Sequence, residues 1–216
     1  MIATDHEMNT PESTQLHLTS RFTSAVEYAR HLHIERRKGT HIPYMAHLLG
    51  VAALVMAEAG HAAIPVTEDM VIAALLHDTV EDHGGLVRLE DVKQNFGPNV
   101  ARMVAGLTDS FVEDSGNKNP WSERKEAYIQ RLRKEPPDVQ LVSAADKLYN
   151  AKAILDDYRL IGPKIWGRFK RGRQDQLWYF NTLLDVYKQF GDSRIVSELE
   201  RVLAELTSIS AHEQTD

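Results

Sequence analysis

The segment TEDMVIAALLHDTVED, residues 67–82, combines a helix start, an apolar middle and an acidic end. Thr67 precedes two acidic residues, which is the pattern of a helix N-cap followed by a first turn that favours negative charge. Positions 71–76 are apolar on nearly every side of a helix, and such a helix is normally buried. We therefore predict one continuous helix over residues 67–82, with its apolar part at the centre of an all-α protein.

The last turn of this predicted helix carries an unusual group of acidic side chains. Asp78, Glu81 and Asp82 accompany His77 there, although clustered carboxylates repel one another and the negative end of a helix dipole. At about 100° per residue, the four side chains fall within one broad arc of the helix surface. A divalent cation would reverse the sign of these interactions, so the segment is predicted to be half of a metal site.

Two other segments offer candidates for the remaining ligands. His47 lies one turn into the helix predicted over residues 43–60, and Asp146 lies among apolar residues in the helix predicted over residues 137–160. A lone aspartate in such surroundings is costly unless it is paired or coordinated. Imidazole and carboxylate ligands together suit Mn²⁺, Fe²⁺ or Zn²⁺.

The rest of the chain also has the spacing of helices. The segment FTSAVEYARHLHIERR, residues 22–37, repeats its apolar residues at helical intervals, and strand signals are nearly absent from the sequence. We predict a single all-α domain over residues 21–208. Residues 1–20 are predicted to be a disordered N-terminal tail and residues 209–216 a C-terminal tail, because both segments are polar and aperiodic.

The composition narrows the classes of function. The chain has 216 residues, a formal net charge of -6 and no cysteine. The negative charge argues against nucleic acid or an anionic membrane as a partner. The absence of cysteine removes disulfides, thiolate metal sites and cysteine nucleophiles, and it fits the cytoplasmic location that we expect. The sequence shows no signal peptide and no apolar stretch long enough to span a membrane, and it leaves a homo-oligomer open.

The candidate ligands, taken in chain order, resemble those of the HD-domain metal-dependent phosphohydrolases. That family carries a histidine, a His-Asp doublet and a distant aspartate, which here correspond to His47, His77-Asp78 and Asp146. The resemblance is closest to the alarmone hydrolase domain of RelA/SpoT-type proteins and their small stand-alone relatives, and it extends over roughly residues 21–160. Four motifs of that branch occur here: RRK (36–38), PYMAH (43–47), HDTVED (77–82) and DKLYN (146–150).

The resemblance implies an HD-type helical bundle that binds a divalent metal, most often Mn²⁺, and removes the 3′-pyrophosphate from (p)ppGpp. The ligands it implies are His47, His77, Asp78 and Asp146. It gives Glu81 and Asp82 the role of orienting or deprotonating the attacking water, an effect worth about 10²–10⁴-fold in rate. It also implies contacts with the nucleotide substrate for four residues: Arg37, Lys38, Lys147 and Asn150.

Two other functions stay open on the sequence. One is an HD phosphatase that acts on another nucleotide or on NADPH, because the chain departs from the family pattern at Gly39 and at HGG, residues 83–85. The other is a non-catalytic nucleotide sensor, although a sensor has no need of an activated water.

Several features have no assigned role. The basic and aromatic segment over residues 164–180, which contains WGRFKRGR (166–173), either binds phosphate or packs with its basic face in solvent. The sequence identifies no partner for the histidines at positions 31, 33, 41, 61 and 83. Among them only His83 is near enough in sequence to the acidic group for an indirect role in the site.

Overall fold

The computed structural model describes residues 15–111, 119–191 and 193–211, so most of the predicted N-terminal tail lies outside the described residues. Within these ranges the regular structure is helical, and the only bridge between extended residues joins Arg36 to Pro43. The all-α prediction is confirmed. In chain order the α-helices are α1 (Ser20–Leu32), α2 (Met45–Ala57), α3 (Glu68–Leu76), α4 (Thr79–Asp82), α5 (Gly85–Phe96), α6 (Pro98–Leu107), α7 (Trp121–Leu132), α8 (Pro137–Ile161), α9 (Gly172–Lys188) and α10 (Arg194–Ala211), and a 3₁₀ helix (Gly162–Arg168) lies between α8 and α9.

Helix α3 lies at the centre of the fold. Its residues 70–76 are all buried, and it packs against α1, α2, α6 and α8. Thr67 caps its N-terminus, because the Thr67 side chain accepts a hydrogen bond from the backbone amide of Met70. The burial and the cap that we predicted from the apolar stretch are confirmed.

The helix predicted over residues 67–82 is not continuous, and this part of the prediction is wrong. α3 ends at Leu76, and the separate four-residue helix α4 begins at Thr79. The backbone turns at His77 and Asp78, although both keep angles in the right-handed helical region. Glu81 and Asp82 therefore lie on α4, which is a single turn long, and not in the last turn of α3.

Helix α8 forms a second wall of the core. It is 25 residues long, which corresponds to about 38 Å at 1.5 Å per residue. It begins with Pro137 at its first position, where the missing N–H costs nothing, and packs against α2, α3, α6, α9 and α10. No helix in the described ranges, α8 included, is long and apolar enough to cross a membrane.

Two helix ends differ from their predicted positions. α1 ends at Leu32, so residues 33–44 form a connection that is closed by hydrogen bonds from the Arg37 amide to the Ile42 carbonyl and from the Tyr44 amide to the Glu35 carbonyl. α10 continues to Ala211, three residues into the predicted C-terminal tail. The boundaries of the domain stay a prediction.

The basic and aromatic segment after α8 packs against the rest of the molecule. Ile165 and Trp166 are buried, and the Arg168 guanidinium donates to Asp157 Oδ2 over 2.5 Å. Farther along, α7 and α9 meet through aromatic rings: the ring centre of Trp121 lies 6.1 Å from that of Trp178 and 6.0 Å from that of Tyr179. The packing interpretation of this segment is the one that these contacts favour.

Candidate metal centre and active site

The four predicted metal ligands converge at the junction of α2, α3, α4 and α8. His47 Nε2 lies 3.1 Å from His77 Nε2, 3.4 Å from Asp78 Oδ2 and 3.4 Å from Asp146 Oδ1. His77 Nε2 lies 3.1 Å from Asp78 Oδ2 and 3.6 Å from Asp146 Oδ1. The donor atoms of His47, His77 and Asp78 all lie within 4.8 Å of one another, as the ligands of one cation do, and Asp146 Oδ1 approaches both imidazoles.

The two imidazoles have the orientation that a cation requires. His77 Nδ1 lies 2.8 Å from the Ala74 carbonyl oxygen and donates its proton there, so Nε2 of the ring faces the other ligands. His47 is buried, and its Nε2 faces the same point. Tyr44 supports the group from outside, because its hydroxyl donates to Asp78 Oδ2 over 2.6 Å.

The electrostatics of this group favour an added positive charge. Burial lowers the pKa of His77, but the carboxylates of Asp78 and Asp146 outweigh burial and bring that pKa well above its usual value. Burial would raise the pKa of Asp78, but His77 and His47 hold it well below its usual value. Burial keeps the pKa of His47 low, so this ring is neutral and able to bind a metal. A divalent cation would displace the proton of His77, and its ligands would then be two neutral imidazoles and two carboxylates.

The acidic residues of α4 line the same cavity as the candidate ligands, and this cavity has a volume of about 240 Å³. Glu81 is half-buried, and its Oε1 lies 3.9 Å from Arg124 Nη1, whereas Asp82 is exposed. The structure therefore brings Glu81 and Asp82 to the metal group. Their roles in activating water stay predictions.

Three charged residues of the cavity region escaped the sequence analysis. Arg124 Nη1 lies 2.6 Å and 2.7 Å from the two carboxylate oxygens of Asp109, and Lys125 Nζ lies 2.6 Å from Asp109 Oδ2. Burial raises the pKa of Asp109, but Lys125 and Arg124 outweigh burial and lower it to about 2. The one signal in the sequence was that Asp109 comes two residues after the apolar helix α6.

Lys147 is held by its neighbour in the chain. Its ammonium group pairs with Asp146 Oδ2 and lies 5.8 Å from the ring centre of Tyr128 and 5.9 Å from that of Tyr179. Burial lowers the pKa of Lys147, but the Asp146 carboxylate outweighs burial and raises it well above its usual value. Lys147 therefore fixes the orientation of Asp146, and its contact with substrate stays a prediction.

A hydrogen-bonded chain connects the metal group to the predicted nucleotide contacts. Asn150 Nδ2 donates to Asp146 Oδ1 over 2.6 Å, and Arg37 Nη2 donates to Asn150 Oδ1 over 2.7 Å. The Arg37 guanidinium also lies over the Tyr149 ring, 5.3 Å from its centre. Arg37 and the exposed Lys38 line a second, larger cavity of about 710 Å³.

The comparisons with known proteins agree with this geometry. The HD domain family matches residues 25–174 of the chain. The mouse guanosine-3′,5′-bis(diphosphate) 3′-pyrophosphohydrolase MESH1 is 37% identical over 134 residues, which are 60% of this chain and 67% of the mouse protein. Human MESH1 is 35% identical over 150 residues, which are 68% of this chain and 74% of the human protein.

A solved structure extends the similarity to the fold. It belongs to a metazoan ortholog of SpoT that hydrolyses ppGpp, and it superposes with a TM-score of 0.69 at 27% sequence identity. The superposition covers 88% of this chain and 97% of that chain. The chain therefore belongs to the HD-domain family, and within it to the phosphohydrolases that are homologous to MESH1.

Proposed function

We propose that this protein removes the 3′-pyrophosphate from guanosine 3′,5′-bis(diphosphate), or from a similar 3′-phosphorylated nucleotide, and that it depends on a divalent cation. The observation that carries the proposal is the convergence of two imidazoles and two carboxylates beside Glu81 in one cavity. The relatives that share at least 35% identity over most of the chain are named as enzymes for this reaction, which supports the same substrate class here.

His47, His77, Asp78 and Asp146 would hold the cation. Their mixed nitrogen and oxygen donors suit Mn²⁺, Fe²⁺ or Zn²⁺, and we propose Mn²⁺ because the resemblance implies it. When bound, the cation supplies Lewis-acid chemistry, since it polarises a phosphoryl oxygen and makes a water molecule more acidic.

Glu81 is our candidate for the general base. It lines the same cavity as the candidate ligands but is not one of them, and we assign its carboxylate the role of taking a proton from the attacking water. Arg124 Nη1 lies 3.9 Å from Glu81 Oε1 and places a positive charge beside this carboxylate. Asp82, exposed on the same helix, would help to orient the water.

The nucleotide would extend from the metal group towards Arg37. Arg37 Nη1 is buried and has no hydrogen-bond partner in the part of the chain that the structure describes. A buried donor in this state costs about 1–3 kcal/mol, and an oxygen of the nucleotide would remove that cost. Lys38 supplies a second positive charge in the larger cavity, and Asn150 connects Arg37 to the metal ligand Asp146. Lys125 and Lys147, which line the smaller cavity, offset the negative charge of the phosphates.

The remaining expectations on partners and location belong to the same proposal. A formal net charge of -6 and no cysteine fit a cytoplasmic protein that acts on a small nucleotide and not on nucleic acid or a membrane. We leave a homo-oligomer open.

The test is a substrate panel. Protein stripped with a chelator and reloaded with Mn²⁺ is incubated with ppGpp, NADPH, deoxynucleoside monophosphates and a generic phosphoester, and the released pyrophosphate and phosphate are measured separately. We expect pyrophosphate from ppGpp with the cation and none without it. Faster phosphate release from NADPH would support the alternative phosphatase. Binding of ppGpp without turnover of any substrate would support the sensor.

A further inference from the structure

A second group of metal-binding side chains lies beside Tyr44, outside the metal centre described above. His33 directly follows α1, Glu35 lies two residues later, and His83 directly follows α4. The sequence offered no partner for either histidine. The structure brings one donor atom from each of the three residues within 4.8 Å of the other two.

The distances among the three donor atoms match a bound cation. His33 Nδ1 lies 2.8 Å from Glu35 Oε1 and 3.3 Å from His83 Nε2, and His83 Nε2 lies 3.8 Å from Glu35 Oε1. A circle through the corners of a triangle with these sides has a radius of about 2.0 Å. Zinc bonds to imidazole nitrogen and carboxylate oxygen are about 2.0–2.2 Å long, so one cation reaches all three atoms without moving them.

Hydrogen bonding among the three residues explains only part of this arrangement. His33 Nδ1 faces both Glu35 Oε1 and His83 Nε2, and a ring nitrogen carries at most one proton for the two contacts. The other nitrogen of His33 lies 3.5 Å from the Thr79 hydroxyl, which is the kind of outer partner that fixes a metal-binding imidazole. A cation at the shared point would use all three donor atoms at once.

The charges and the exposure of the group also suit a cation. Burial lowers the pKa of His33, so this ring is neutral near pH 7. Burial would raise the pKa of Glu35, but the hydrogen bond from His33 and its other neighbours keep it below the usual value, so this carboxylate is ionised. The His33 side chain is enclosed, whereas those of Glu35 and His83 are 40% and 27% exposed, which leaves an entry path and room for water as a further ligand.

We propose that His33, Glu35 and His83 form a second divalent-cation site of the zinc class. Two imidazoles and one carboxylate are a ligand set that zinc uses, whereas Mg²⁺ and Ca²⁺ prefer oxygen ligands. The site is separate from the His47–His77–Asp78–Asp146 group, and it does not depend on the proposed reaction. It is next to that group, because the His33 ring stacks on Tyr44 with centres 5.1 Å apart and Tyr44 donates to Asp78.

The experiment counts zinc ions per chain. Chelator-stripped protein is equilibrated with Zn²⁺ by dialysis, and bound metal is measured by elemental analysis in the wild type, His83→Gln, Asp146→Asn and the double variant. We expect two equivalents in the wild type, one in each single variant and none in the double variant. His31→Gln is the matched control, because His31 is an exposed histidine that also lies near a glutamate, and it should bind two.

Circular dichroism verifies that each variant is folded. Glu35→Gln changes a partly exposed residue of the group, and its Zn²⁺ content is a second test of the site. Replacement of Zn²⁺ by Co²⁺ gives a separate readout, since the visible absorption of Co²⁺ reports its ligands: the His83→Gln spectrum should lose one component. The proposal is overturned if Asp146→Asn binds no Zn²⁺, or if His83→Gln and Glu35→Gln both bind as much Zn²⁺ as the wild type.

Discussion

At the scale of one residue, Asp146 is a charged side chain inside an apolar helix, and its partners stabilise that charge. Its Oδ1 accepts from Asn150 and lies 3.4 Å from His47 Nε2, and its Oδ2 pairs with Lys147. These partners outweigh burial and hold the pKa of Asp146 well below its usual value. Asp146 is therefore ionised, and every substitution that removes its charge affects both the candidate metal centre and the buried Lys147.

We expect Asp146→Ala and Asp78→Ala each to abolish metal binding and activity at the HD centre. Asp146→Ala should also destabilise the protein by about 3–5 kcal/mol, because it leaves the ammonium group of Lys147 buried without its carboxylate. Elemental analysis with Mn²⁺ measures the first effect, and urea unfolding measures the second. Full Mn²⁺ content in either variant would contradict the ligand assignment.

Glu81→Gln should separate chemistry from metal binding. The amide keeps the size of the side chain but cannot take up a proton, so we expect unchanged Mn²⁺ content and a turnover number lower by about 10²–10⁴-fold. Glu90→Gln, at an exposed glutamate of α5, is the control and should leave both quantities unchanged. A Glu81→Gln enzyme with wild-type turnover would exclude Glu81 as the base.

At the scale of elements, α2 and α8 approach each other closely at Gly50. Gly50 lies where any side chain would meet the Tyr149 ring, since an added Cβ would lie 2.0 Å from Tyr149 Cε2. The Arg37 guanidinium lies over the face of the same Tyr149 ring. The spacing between the two helices therefore influences the predicted nucleotide contact.

Gly50→Ala should displace Tyr149 and, with it, Arg37. We expect a loss of about 1–3 kcal/mol in stability and a rise in KM for the nucleotide that exceeds any fall in kcat. Steady-state kinetics and urea unfolding give the two quantities. Gly167→Ala is the control, because an added Cβ there meets nothing within 4 Å. An unchanged KM in Gly50→Ala would show that the Tyr149 ring does not position Arg37 for substrate.

The sequence predicted the elements better than it predicted how they join. Apolar periodicity identified α3 and α8, because apolar residues at helical intervals along the sequence indicate the buried face of a helix. The turn at His77 and Asp78 escaped prediction, since both residues keep helical backbone angles and the spacing on either side remains helical. The motifs of the family located the four candidate ligands. Asp109 and its partners on α7 were missed, because their contacts arise from tertiary packing and not from any spacing along the chain.

At the scale of the whole molecule, the protein has a net negative charge, and lysines lie among the carboxylates that line the smaller cavity. Arg124 and Lys125 bring two cations to Asp109, whose side chain is only 4% exposed. The carboxyl of Asp109 has a pKa of about 2 in the folded protein against an ordinary value of 3.8. This difference couples folding to pH.

Asp109 should contribute stability that is fully present above pH 4 and is lost as the pH falls towards 2. The reason is that the unfolded chain takes up the proton first, and the full effect is on the order of 2 kcal/mol. In Asp109→Asn the free energy of unfolding should lie below that of the wild type at pH 6, with the gap narrowing at pH 4 and again at pH 3. Urea unfolding at these pH values measures the gap, and a gap of constant size would refute the assignment.

The aromatic contact between α7 and α9 gives this enzyme an internal optical probe. Trp121 begins the helix that carries Lys125, and Lys125 lies 5.0 Å from the ring centre of Tyr179, a residue of the smaller cavity. The Trp121 ring contacts the Tyr179 ring, and Trp178 directly precedes Tyr179 in the chain. Their ultraviolet emission should therefore change when a phosphate-bearing molecule draws Lys125 away from the ring, so occupancy can be followed by stopped-flow fluorimetry without any attached label.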